Sequence, residues 1–161
     1  MTSRRTSTHV PYSAAQMFAL VAGVDRYPEF LPWCVALRIA ERKRDGDIEF
    51  VIADMAVAYK VFRERFRSLV RLDHAARKID VDYIDGPFRS LTNSWAFGDQ
   101  PGGGSIVDFS IQFEFRSVLL QATARSVFEK AFARMSDAFV ARADSVYGSS
   151  PNAALDGMGG R

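Results

Sequence analysis

From Ser117 to Tyr147 the chain runs without a glycine or a proline. Leu120, Ala124, Val127, Phe128, Ala131, Met135, Phe139, Arg142 and Val146 recur there at spacings of three and four, which puts them on one face of a helix. Ser117 is placed to cap its start, and Gly148 stands where helices commonly stop. About thirty residues at 1.5 Å each make a rod of roughly 45 Å. An amphipathic rod of that length needs a surface of equal reach, which the rest of the chain has to supply.

Strands supply it. From Val35 to Phe115 the pattern changes to alternation, and six strands are predicted, at 35–43, 47–56, 59–72, 78–84, 88–98 and 105–115. Asp45-Gly46-Asp47, His74 to Arg77, Asp85-Gly86-Pro87 and Asp99 to Gly104 are the turns between them. Connections this short make the sheet an antiparallel meander. In the last strand Val107, Phe109, Ile111, Phe113 and Phe115 alternate with polar residues; in the one before, Leu91, Trp95 and Phe97 share a face with Asn93. Ahead of these, Thr6 to Val10 reads as a short strand, and Ser13-Ala-Ala-Gln16 as a capping box opening a helix that ends near Gly23. Asp25 is expected to cap a second short helix carrying Tyr27 to Leu31, closed by Pro32. The expectation is an α+β domain over residues 1–147, a curved seven-stranded antiparallel sheet wrapped on one long helix, with two short helices after the first strand. A strongly curved sheet cannot touch a straight rod along its whole length, so this arrangement favours an internal cavity. Residues 148–161 are too rich in glycine and small side chains to fold and read as a disordered tail.

With 48% apolar residues, 161 residues can bury a core as one domain. A net charge of +2 and a pI near 8.8 permit an anionic partner without arguing for one, and no DNA partner is expected. Cys34 is alone, so no internal disulfide forms; His9 and His74 give no metal-ligand spacing, and neither metal nor cofactor is called for. The N-terminus lacks the apolar core of a signal sequence, and nowhere is there a run of about eighteen apolar residues. The expectation is a soluble cytoplasmic protein whose membrane contact, if any, is peripheral at the inner face.

A family resemblance is carried by Val10-Pro11-Tyr12-Ser13 with Gln16-Met17-Phe18, by Val24-Asp25-Arg26-Tyr27-Pro28-Glu29-Phe30-Leu31-Pro32-Trp33-Cys34, by Asp85-Gly86-Pro87-Phe88 with Leu91, Trp95 and Phe97, and by Asp108 to Phe115. Over residues 3–147 the chain resembles the coenzyme Q-binding START-domain family, which is polyketide cyclase/dehydrase-like and includes the bacterial ribosome-association toxin. The resemblance implies a helix-grip (START, Bet v 1-like) fold, a non-enzymatic hydrophobic pocket for ubiquinone or a related polyprenyl quinone, and support of respiratory electron transport or quinone biosynthesis. A ribosome-directed inhibitor of subunit association is the alternative, and an aromatic polyketide cyclase the third reading.

The aromatics Tyr27, Phe30 and Trp33 have two readings: a plug in the core, or a gate that Pro28 and Pro32 pin at a cavity mouth. Phe18, Phe62, Phe66, Tyr83, Trp95, Phe97, Phe109, Phe113, Phe128, Phe132, Met135 and Phe139 are core types that would equally wall a pocket for an uncharged ligand. Glu64 falls on the apolar face between Phe62 and Phe66, where a carboxylate needs a partner or a raised pKa. Arg142 could pair with it, or it could offer a hydrogen bond to a ligand carbonyl; the bland reading leaves it at a wetted rim. Arg63, Arg65, Arg67 and Arg71 line the opposite face, either as a solvated sheet surface or as a contact for anionic lipid or rRNA phosphates. Cys34 reads as a small buried hydrophobe with no histidine base to activate it. Gly102-Gly103-Gly104 lacks the lysine of a phosphate loop. Only Glu64, Asp54, Tyr59 and Tyr83 are available for acid–base chemistry, and their spacing forms no recognisable constellation.

Overall fold

The computed structural model describes residues 2–59 and 62–148. The predicted tail from 149 onward lies outside them, as do the side chains of 123, 124 and 126, and with them the inward place read for Ala124.

Strand β1 (Thr2–Val10) leads into helix α1 (Ala14–Ala22) and a 3-10 helix (Val24–Glu29). Six strands follow: β2 (Cys34–Asp45), β3 (Ile48–Tyr59), β4 (Phe62–Asp73), β5 (Lys78–Asp85), β6 (Phe88–Asp99) and β7 (Ser105–Phe115). Helix α2 (Val118–Ala143) comes last among the described residues, its last turn continuing as a π-helical turn over Asp144–Gly148. All seven strands form one antiparallel sheet in the order β1-β7-β6-β5-β4-β3-β2. β1 returns to pair with β7 along its whole length, from Thr2 opposite Phe113 to Val10 opposite Ser105. Its predicted start at Thr6 falls four residues late because the inward side chains Arg4, Thr6 and Thr8 carry no apolar signal.

Local chemistry explains the helix ends. Both bonds of the capping box are present: Gln16 N–H donates to Ser13 Oγ at 3.1 Å and Ser13 N–H to Gln16 Oε1 at 2.9 Å. Leu120 N–H likewise donates to Ser117 Oγ at 3.1 Å. The second short helix differs from expectation. It starts after Gly23 with no side-chain cap, holds Asp25 in its first turn and Pro28 inside, and ends before Phe30 and Leu31. At the far end of α2 the π-helical turn changes the register, so Val146 is 47% exposed while Tyr147 turns inward and its hydroxyl donates to Gln16 O at 2.8 Å.

The core divides in two. One cluster surrounds α1 and includes Val10, Met17, Phe18, Val21, Leu72, Ile79, Phe97, Phe139 and Ala143. The other gathers Phe88, Leu91, Phe109, Ile111, Phe113 and Phe115. Trp95 and Met135 pack against both. Helix α2 is tied to the rest of the fold near each end. Gln121 accepts from Phe115 N–H and donates to Thr2 Oγ1, Arg4 pairs with Glu129, and Tyr12 donates to Asp144.

Candidate functional site

Between the two clusters, the concave face of the sheet and the inner face of α2 border a cavity of about 190 Å³. Alternation on each strand supplies its wall: Leu37 from β2; Ala53, Met55, Val57 and Tyr59 from β3; Phe62, Phe66, Ser68 and Val70 from β4; Ile79 and Val81 from β5. Phe88, Leu91, Asn93 and Trp95 of β6 and Phe109 and Ile111 of β7 continue it, and Val127, Phe128, Ala131, Phe132, Met135 and Phe139 of α2 form the roof. Val24, Tyr27, Leu31 and Trp33 close one end. No carboxylate, lysine, arginine or histidine lies on this wall among the described residues.

Of the sixteen residues proposed from sequence, Tyr27, Trp33, Phe62, Phe66, Trp95, Phe109, Phe128, Phe132, Met135 and Phe139 are brought together on the cavity. Phe18 and Phe97 pack edge to face behind it, with ring centroids 5.8 Å apart. Phe113 lies tilted under Phe128 at 4.0 Å, and Tyr83 meets Phe88 edge-on at 5.5 Å while its hydroxyl accepts from Phe88 N–H. These four build the cavity's supports. Phe30 stands behind Tyr27 and Phe139, at 5.9 and 5.2 Å. Asn93 was missed as a site candidate: it was visible on the right face but had no aromatic signal. Ala131, which its spacing puts on the inner face of α2, lines the cavity as well.

Glu64 is half-buried and is not part of the wall. Arg142 does not reach it. Its guanidinium pairs instead with Glu29 at 2.6 Å and lies 5.1 Å over the Phe30 ring, latching the 3-10 segment onto α2. Residue 29 precedes Phe30 on the segment that packs under the end of α2, whereas Glu64 lies near the start of β4, opposite Val57. The arginine face is half neutralised. Arg67 forks onto Asp54 at 2.7 and 2.9 Å, and Arg71 approaches Asp80 at 3.7 Å. The Arg67 hydrogen bond holds the Asp54 carboxyl below its ordinary range. Arg63 and Arg65 are exposed and have no carboxylate partner among the described residues.

The groups available for acid–base chemistry are dispersed. Asp54 is held by Arg38 and Arg67, Glu64 and Tyr83 are off the wall, and only Tyr59 lines the cavity, its ring 5.8 Å from the Arg134 guanidinium. Elsewhere a buried carboxylate is satisfied structurally. Burial works to raise Glu49, but hydrogen bonds from His74 at 3.0 Å and Arg42 at 2.8 Å outweigh it and keep the carboxyl low.

Cys34 is buried at 3% exposure, and that burial pushes its thiol up to about 11 against the weaker effect of its contact with Ala36 O. At pH 8 about one thiol in a thousand is then ionised. Native protein is expected to react slowly with a disulfide reagent, about tenfold faster per pH unit up to pH 11, and rapidly once unfolded; fast labelling at pH 7 would contradict this placement.

The model of the family described as polyketide cyclase/dehydrase and lipid transport matches residues 10–140. The ribosome association toxin RatA of Escherichia coli K12 is 34% identical over 138 residues, 86% of this chain and 84% of the toxin. The mitochondrial coenzyme Q-binding protein coq10 of Schizosaccharomyces pombe is 28% identical over 140 residues, 86% of this chain and 85% of that protein. Among solved structures, the 18 kDa protein CC1736 of Caulobacter crescentus superimposes with a TM-score of 0.78 at 36% identity, covering 92% of this chain and all of that one. The fold is the helix-grip, START and Bet v 1-like one.

Proposed function

Because this chain belongs to the polyketide cyclase/dehydrase and lipid transport family, we propose that it holds a prenyl quinone such as ubiquinone by its ring, between sheet and α2, and shields that ring without transforming it. The observation that carries this is the apolar wall with dispersed acid–base groups. Size agrees: apolar cavities of about 150 Å³ stay dry and accept a benzene-sized guest, so about 190 Å³ takes a substituted ring. A long isoprenoid tail does not fit beside it and has to run out of the fold. The likeness to a coenzyme Q-binding protein supports the choice of ring. In a cell this activity would serve respiratory electron transport or quinone biosynthesis.

Protein purified from a quinone-containing host, extracted with organic solvent and examined by mass spectrometry, is expected to release an unaltered prenyl quinone. An extract free of any prenyl lipid would sink the proposal. The exposed Val118 and Leu119, 84% and 75% accessible at the start of α2 beside Arg116, support a peripheral membrane contact in this reading. Leu119→Asp is expected to weaken co-sedimentation with anionic vesicles severalfold; unchanged sedimentation would remove this contact.

The likeness to ribosome association toxins favours a second reading, in which the exposed Arg63 and Arg65 meet rRNA phosphates. Overproduction would then deplete joined ribosomes on a sucrose gradient, and Arg63→Glu with Arg65→Glu would restore them. A normal gradient on overproduction of the wild-type chain excludes it.

A further inference from the structure

Asn93 stands where an apolar residue is expected. On the concave face of β6 it lies between Leu91 and Trp95, opposite Val81 of β5 and Ile111 of β7, and all five residues line the cavity. Asparagine is a poor strand former, and a buried amide carbonyl without a donor is destabilising. Yet Oδ1 of Asn93 is shut away from solvent with no hydrogen-bond partner. Elsewhere on the same wall the indole N–H of Trp33 is also enclosed and without an acceptor. The large majority of buried polar atoms are satisfied, so an orphan acceptor and an orphan donor on one apolar cavity point to a guest with a polar group of its own. Charged side chains, which could have satisfied either, are absent from this wall among the described residues.

From this geometry we infer that Asn93 is the anchor for the ligand's polar head and that it reads a hydroxyl donor. A carbonyl oxygen can only accept, so it can take a hydrogen bond from Trp33 or from the Asn93 amide nitrogen but leaves Asn93 Oδ1 unpaired. A phenolic hydroxyl donates to Asn93 and keeps lone pairs for other donors. The class selected is an apolar molecule with a hydroxylated ring. Resting on the proposed function, this means that the cavity favours the reduced, dihydroxy form of a prenyl quinone over the oxidised dicarbonyl form. Discrimination of this kind is strong when a site's buried polar group would be left unpaired by the wrong ligand.

The test uses two ligand pairs in equilibrium ultrafiltration under anaerobic conditions: decyl-tailed benzoquinone against its hydroquinone, and 4-nonylphenol against its methyl ether, which accepts but cannot donate. The whole chain is expected to bind each hydroxylated member at least tenfold more tightly than its partner. Asn93→Leu should bring both members of each pair to the weaker level, and Asn93→Val serves if the leucine variant does not fold. Equal affinities within the pairs would mean that a bound water satisfies the amide, and would overturn the inference. So would a preference for the dicarbonyl form, or a preference that survives both substitutions. Should neither quinone form bind while the phenol and ether still separate through Asn93, the quinone reading fails and the hydroxyl anchor stands.

Discussion

Replacing Ala131 with tryptophan is expected to abolish ligand binding while leaving the fold intact. Ala131 is on the inner face of α2 and lines the cavity between the levels of Phe128 and Met135. An indole there would occupy the space that a ligand ring would take. In a filled core the same change would force neighbours off their rotamers, at a cost of about 1–3 kcal/mol. At this chain length each kcal/mol moves the melting temperature by about 2–4 °C. The expected result is at least a hundredfold loss of retained ligand with a melting temperature within about 3 °C of wild type. A large fall in melting temperature with ligand retention unchanged would show that the wall is elsewhere.

The second large effect concerns stability. Gly86, in the turn between β5 and β6, has φ +145, and a Cβ built on it would lie 2.6 Å from Phe66 Cβ and 3.0 Å from Arg65 O. Both neighbours belong to β4, so relief requires moving a strand, and Phe66 is itself part of the cavity wall. Gly86→Ala combines an unfavourable backbone region with a collision, and should destabilise by about 3 kcal/mol. Gly102 is the control: a Cβ there meets nothing within 4 Å, and Gly102→Ala should be nearly silent. Denaturant midpoints measured side by side decide the matter, and equal midpoints for the two variants would refute this account of the turn.

That Gly86 belonged to a tight turn was legible in Asp-Gly-Pro, but its contact with Phe66 was not, because it spans two strands. The same division runs through the molecule. Period-two alternation placed six strands to within a few residues, and the capping box of α1 could be read from four letters, since both depend on neighbours in sequence. Arg142 shows the opposite case. Its partner depended on where the 3-10 segment crosses α2, 113 residues away in the chain. For the cavity, residue type was legible and position was not. Phe109 and Phe113 occupy the same face of β7, yet the first borders empty space and the second is covered by Phe128. Sheet curvature decides between them, and alternation carries no record of curvature. The family resemblance anticipated the helix-grip fold, whereas the neutralising of Arg67 and Arg71 had to be seen.

Empty space also has a mechanical side. A folded chain that keeps about 190 Å³ of apolar space between sheet and helix occupies more volume than its parts, and unfolding or filling removes the excess. Hydrostatic pressure favours whichever state is smaller, with unfolding volumes that scale with the voids eliminated and reach the order of 100 mL/mol. The ligand-free chain should therefore yield to pressure well before a well-packed domain of its size, while the loaded chain resists. Compression thus measures occupancy without any knowledge of what the occupant is.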